Sequence, residues 1–415
     1  MRSPARPATV SHRAALAALG CAAGSLTGLA ACDAAAPGGD GQAGSAGSGA
    51  AGDQGPARDE PADAVDALLA SMTLEQKVAQ LFMVTPEQLT GVSTATVAGE
   101  LTERALAELP VGGLAYFSKN LQGADQVRAL LDGTDRLARG AGAGVPPLLG
   151  VDEEGGSLVA RVANSGLFDV ERFPNMAEIG ATGDAARAAE VGRAIGTYLR
   201  EIGFNLDFAP DADVLTNPDN TAIGARSFGS DPDLVAEMVA AEVAAMLDAG
   251  TLPCAKHFPG HGDTAGDSHI GAVYAERTRA EIEACELAPF RAAIEAGCPL
   301  VMVGHIETPN FAGDGLPASL SPTMMGNVLR GELGFEGVIV SDAFDMGAIT
   351  ERFAPGEAAA RFFAAGGDLL LMPSDLHLAY QGVLDAVRAG SLGGERVDES
   401  ARRILAAKRR AGLLP

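Results

Sequence analysis

The chain has 415 residues, 47% of them hydrophobic, enough for one large buried core or two ordinary ones. Lys and Arg number 30 against 54 Asp and Glu, a net charge of -24, which argues against nucleic acid and anionic lipid as partners.

The amino end reads as a targeting segment, not as part of a fold. Arg2, Arg6 and Arg13 precede an apolar stretch, 14–31, that is Ala/Gly-rich and too short to span a bilayer comfortably. It ends Leu29-Ala30-Ala31-Cys32, which resembles the bacterial lipobox. Residues 1–31 are therefore expected to be a cleaved lipoprotein signal, with lipid on the Cys32 thiol. Residues 32–60 form a Gly/Ala/Ser/Pro linker, unable to bury anything. A tethered domain working outside the cytoplasm follows. Of the remaining cysteines, Cys254, Cys285 and Cys298 have no metal spacing and read as free thiols, with one disulfide as the alternative.

From residue 62 the chain alternates between two periodicities. Residues 62–72 and 73–80 read as helices, the second with Thr73 as N-cap and Gln76 three residues on. Short apolar runs follow at 81–84, 113–117, 147–151, 205–210, 252–256, 300–303, 337–341 and 368–372. Helical patterns separate most of them, among them 184–202, 232–248, 279–296 and 321–333. Eight buried strands with intervening helices predict an α/β fold over 61–415, a single (β/α)8 TIM-like barrel. An open doubly wound sheet in two lobes is the alternative, which a count of eight disfavours.

In such a barrel the chemistry sits at the C-terminal ends of the strands. Polar groups follow the runs there: Asp152, Glu153 and Glu154 after the third, Asp211 and Asp213 after the fourth, Lys256 and His257 after the fifth. His305 and Glu307 follow the sixth, and Ser341 and Asp342 the seventh. The densest stretch is 251–270, where His257, His261 and His269 accompany Lys256, Asp263 and Asp267. Asp267-Ser268-His269 brings a carboxylate within reach of an imidazole, a pairing suited to proton transfer near neutral pH. Zinc on His257, His261, Asp267 and His269 is the rival reading. Its i, i+4 spacing suits a helix, which Pro259, Gly260 and Gly262 forbid.

KHFPGHGDTAGDSH (256–269) resembles the signature loop of the β-N-acetylglucosaminidase branch of glycoside hydrolase family 3. Further segments agree in order: MTLEQKVAQLFMV (72–84), VDEEGG (151–156), GFNLDFAPDADV (203–214), IGARSFGSDP (223–232), LPASLSP (316–322), VLRGELGFEGVIVSDAFDMGAI (328–349) and RVDESARRIL (396–405). The resemblance implies a retaining glycosidase in which Asp342 attacks the anomeric carbon and water later hydrolyses the ester. It assigns the acid/base to His269 backed by Asp267, and sugar binding to Asp152, Arg226, Lys256 and His257. Asp345 is then a solvated or structural neighbour. No cofactor or metal is expected, and the partner is a glycan ending in β-linked N-acetylglucosamine. One departure concerns an arginine eight residues after the VDEEGG aspartate: Ala160 stands there and Arg161 follows. Either one inserted residue returns Arg161 to the sugar, or the contact is missing.

The family's β-glucosidases draw their acid/base from an added C-terminal domain. This chain ends at 415 without one, which with Asp267-Ser268-His269 favours the hexosaminidase branch. A β-glucosidase or β-xylosidase is the runner-up. A non-catalytic glycan-binding lipoprotein is the alternative of another class, since a lipobox and linker also front such receptors.

Overall fold

The computed structural model describes residues 64–415 apart from Asp267, His269 and Ile270. The signal (1–31), the linker with Cys32, and the Asp267–His269 pair lie outside the described residues.

Helix α1 (Ala64–Ser71) leads into α2 (Leu74–Gln80), whose start is set by the expected capping box. The Gln76 N–H donates to Thr73 Oγ1 at 3.3 Å, and the Thr73 N–H donates to Gln76 Oε1 at 3.0 Å. Strand β1 (Phe82–Val84) follows at once, then β2 (Gly113–Ala115), β3 (Leu148–Val151), β4 (Leu206–Asp207) and β5 (Leu252–Phe258). Last come β6 (Leu300–Val303), β7 (Val338–Ser341) and β8 (Leu370–Leu371). All pair in parallel in the order β7-β6-β5-β4-β3-β2-β1-β8, and a bridge between Val340 and Leu369 brings the ends together. The eight apolar runs are thus the staves of one barrel. Every strand residue is buried, because helices cover the outside and side chains fill the inside.

Two sequence expectations change in detail. The helix expected over 279–296 is two, Arg279–Ala284 and α5 (Leu287–Glu295), because Pro289 has no N–H to offer the Cys285 carbonyl. The break turns Glu286 inward. The helix Thr323–Glu332 closes with wide turns, such as Leu333 N–H to Val328 C=O at 2.9 Å.

Helices α3 (Ala185–Ile202) and α4 (Pro232–Asp248) pack closely through glycine. A Cβ on Gly192 would stand 2.6 Å from the Glu242 carbonyl oxygen, so only glycine fits. Glu242 is buried there, and neither carboxyl oxygen has a hydrogen-bond partner. Burial, aided by the Glu154 charge, pushes its pKa up to about 8. The native state therefore keeps a proton that the unfolded chain releases near 4.5, and this group's contribution to stability falls as pH rises between those values. Glu242→Met should remove that dependence. In calorimetry, its Tm relative to the parent should climb from about pH 5 to pH 8; a difference that stays flat would contradict the protonated assignment.

Candidate active site

The barrel mouth holds a cavity of about 190 Å3. Asp152, Arg161, Arg226, Lys256, His257 and Asp342 all line it, so six of the residues expected from sequence converge on one space. Phe117, Met302, Leu371 and Met372 give it an apolar side. Met372 is the one non-glycine residue among those described with a positive φ, at 48°.

The charged groups form a continuous ladder of alternating sign. Lys256 Nζ donates to Asp152 Oδ1 at 2.8 Å and lies 2.6 Å from Glu154 Oε1. Arg226 grips Glu154 with two parallel bonds, Nε to Oε2 at 2.8 Å and Nη2 to Oε1 at 2.7 Å. Burial alone would raise both carboxyls, yet Lys256 and Arg161 hold Asp152 well below the usual carboxylate range, and Arg226 and Lys256 lower Glu154. Lys256 is buried but kept charged by the two carboxylates. Breaking any buried rung would leave an unpaired ion, which costs about 3–5 kcal/mol. The ladder therefore holds rigid, charged donors and acceptors at the cavity wall.

Arg161 belongs to this ladder. The strands Glu153–Gly155 and Val159–Ala160 pair antiparallel with a register shift, and Arg161 follows them directly. Its Nε and Nη2 each lie 3.1 Å from Asp152 Oδ2, and its guanidinium rests 4.6 Å from the centre of the Phe117 ring. Arg161→Ala should lower kcat/KM for a sugar substrate by about tenfold to a hundredfold, mostly through KM. An unchanged KM would mean that this arginine only shapes Asp152.

Asp213 organises the histidine loop. It is fully buried; its Oδ2 lies 2.7 Å from His257 Nδ1, and its Oδ1 accepts the His261 N–H at 2.6 Å. Burial opposes ionisation, but His257 and His261 bring its pKa down to about 2. Beyond it, the Asn220 amide donates to the His261 carbonyl at 2.7 Å, and Asp263 and Glu286 both pair with Arg277. The far stem returns as a parallel pairing of Val273–Tyr274 with Ile306–Glu307. Ser268, between the two acid/base candidates, has its hydroxyl 3.3 Å from His261 Nε2, while Thr264 holds Nδ1 at 2.7 Å.

Those contacts bear on the two described members of the zinc alternative, His257 and His261; Asp267 and His269 lie outside the described residues. Both ring nitrogens of His261 are taken by hydroxyls, and His257 gives Nδ1 to Asp213. The described carboxylate–imidazole group that is tight enough for an ion is Asp211, Asp213 and His257. There Arg226 Nη2 stands 3.5 Å from both Asp211 Oδ2 and His257 Nε2, so a guanidinium already supplies the cation.

Asp342 follows β7, half-buried, with its N–H on the Val303 carbonyl at 3.0 Å and its Oδ1 accepting the Ala343 N–H at 2.7 Å. His305 braces this turn. Its Nε2 lies 2.9 Å from the Ala343 carbonyl and its Nδ1 2.7 Å from the Ser319 hydroxyl. Asp345 is exposed. Glu153 points away from the cavity to Tyr198 and to the Val162 and Ala163 N–H groups, and Glu307 pairs with Arg352. Glu154, Asp213 and His305 are thus members of the site that residue-type reasoning left among generic mouth charges; their roles depend on contacts between different strands.

The sequence profile of the glycosyl hydrolase family 3 N terminal domain matches residues 73–407. The chain is 35% identical over 359 residues to beta-hexosaminidase LpqI of Mycobacterium tuberculosis, covering 84% of this chain and 85% of the relative. Beta-hexosaminidase A of Pseudoalteromonas piscicida is 35% identical over 333 residues, 74% of this chain but only 55% of that protein's length. Among solved structures, a family 3 beta-N-acetylglucosaminidase of Paenibacillus sp. str. FPU-7 superposes with a TM-score of 0.76 at 38% identity, over 83% of this chain and 63% of the other. A barrel of eight parallel strands, the charged mouth and the profile agree, and the chain belongs to glycosyl hydrolase family 3.

Proposed function

We propose that the protein is a retaining, exo-acting β-N-acetylglucosaminidase that removes terminal N-acetylglucosamine from cell-wall fragments or related glycans. The observation that carries this reading is that the charge ladder and Asp342 line one cavity of about 190 Å3. That volume falls below the roughly 300–1,000 Å3 of drug-sized sites, and it suits one sugar ring better than a chain. Sugar hydroxyls both donate and accept, so an array of Asp152, Arg161, Lys256, Glu154 and Arg226 satisfies an edge of the ring with charge-assisted bonds. Asp342 then attacks the anomeric carbon while His269, oriented by Asp267, protonates the leaving oxygen; His269 later takes the proton of the incoming water. The names of the similar hexosaminidases support the choice of sugar.

The test is a rate comparison on matched nitrophenyl β-glycosides of N-acetylglucosamine, glucose and xylose. The reading expects the first to be preferred by kcat/KM at least about tenfold, a difference of roughly 1.4 kcal/mol in transition-state binding. Equal rates, or a preference for glucose or xylose, would favour the runner-up activity; binding without turnover would favour a receptor. The export signal and lipidated Cys32 belong to the same proposal, and mass spectrometry of the membrane fraction showing an unmodified Cys32 would remove that part.

A further inference from the structure

A second cavity, of about 490 Å3, opens at the opposite end of the barrel, where Pro299 enters β6 and Gly337 enters β7. Helix α6 (Gly394–Arg410) forms one wall. Its floor is apolar, with Ile294, Phe335 and Ala407, and its rim carries Arg402, Arg403 and Arg410 against a single acid, Glu336. Such a concentration of cations stands out on a chain of net charge -24.

The charge is in excess of its local partners. Asp368, fully buried beneath the rim, is shared by three guanidiniums: Arg330, Arg396 with a bond of 2.8 Å, and Arg403 at 3.1 Å. Glu399, half-exposed, offers the next carboxylate, 3.4 Å from Arg396 and 4.0 Å from Arg403. Arg330 registers the imbalance: burial first, then Arg403 and Arg396, bring its pKa down to about 10 although Asp368 opposes them. Arg402 bonds Asp66 through Nε alone, and Arg410 reaches the Gly297 carbonyl through Nη1, so each has further donors on the open rim.

We propose that this foot cavity binds a phosphate group. Guanidinium forks arriving from separate points of one helix match an oxyanion with several acceptor oxygens better than a two-oxygen carboxylate. The overall negative charge does not forbid it, since fields fade over about 8 Å at physiological ionic strength and the nearest charges are the arginines. The phosphate can be free in solution or be the headgroup of a phospholipid, and α1, where the described chain begins, is tied to this rim by the bond between Asp66 and Arg402.

Calorimetry of the full chain tests the site itself. Inorganic phosphate, against chloride at matched ionic strength, should give a saturable rise in Tm of about 2 °C or more. The double variant Arg402→Gln with Arg410→Gln should lose the rise while keeping glycosidase turnover. Glu336→Gln, which removes the opposing carboxylate, should lower the phosphate midpoint about twofold to fivefold. A second arm finds the source: the Cys32→Ser full chain, carrying no lipid, is floated with vesicles of phosphatidylglycerol mixed with phosphatidylcholine and with vesicles of phosphatidylcholine alone. Flotation only with the anionic vesicles, lost in the double arginine variant, supports the site and identifies a headgroup; a thermal rise without flotation supports it and identifies free phosphate. No rise and no flotation, or responses indifferent to both the arginine and Glu336 changes, would overturn the proposal.

Discussion

Asp342→Ala is expected to abolish turnover whatever the leaving group. If Asp342 forms the glycosyl-enzyme ester, no substrate bypasses it, and kcat should fall by at least about ten-thousandfold. The fold should survive. Asp342 is half-buried at the end of β7, after the last residue of that strand, and its Oδ1 accepts the N–H of the neighbouring Ala343. Normal Tm with absent activity, measured on nitrophenyl and disaccharide substrates alike, is the expected pair of results. Substantial turnover in this variant would remove the nucleophile assignment. Binding of N-acetylglucosamine should persist, because the ladder from Arg161 to Arg226 is untouched.

His269→Ala should divide substrates by leaving group. A natural disaccharide needs a proton on its departing oxygen, so its cleavage should fall about a hundredfold or more. A dinitrophenyl glycoside leaves without help, so the first step should suffer far less, while deglycosylation slows because water has lost its base. A burst of phenol followed by a sluggish steady state is the expected trace in stopped flow. Asp267→Asn should behave as a milder copy, leaving the imidazole in the chain but removing the charge proposed to orient it. If His269→Ala slowed poor and activated leaving groups equally, the acid/base would have to be another group. Glu153 and Glu307 are poor replacements, since Glu153 is occupied by Tyr198 and two N–H groups and Glu307 by Arg352.

The barrel was legible because each parallel strand is covered on both faces, so it reads as a short unbroken apolar run with helical periodicity between runs. The mouth followed from the direction of the strands, which carries Asp152, Lys256 and Asp342 to one end. The place of Arg161 was not legible: spacing alone left its position open, and its contact with Asp152 at the cavity wall depends on the hairpin of Glu153–Gly155 with Val159–Ala160. Asp213 was equally hidden, as one acid among several until its partners, His257 on β5 and His261 in the loop after it, are known. The inward turn at Glu286 had a signal, Pro289, that the apolar periodicity of 279–296 overrode.

The most direct measurement of the central claim is a rapid quench of the enzyme with an activated N-acetylglucosaminide, followed by peptide mass spectrometry. With His269→Ala slowing the second step, the account predicts one N-acetylhexosamine mass on the peptide containing Asp342, with the sugar on Asp342 itself. Turnover with that peptide unmodified throughout, or the sugar on a different carboxylate such as Asp345, would contradict it.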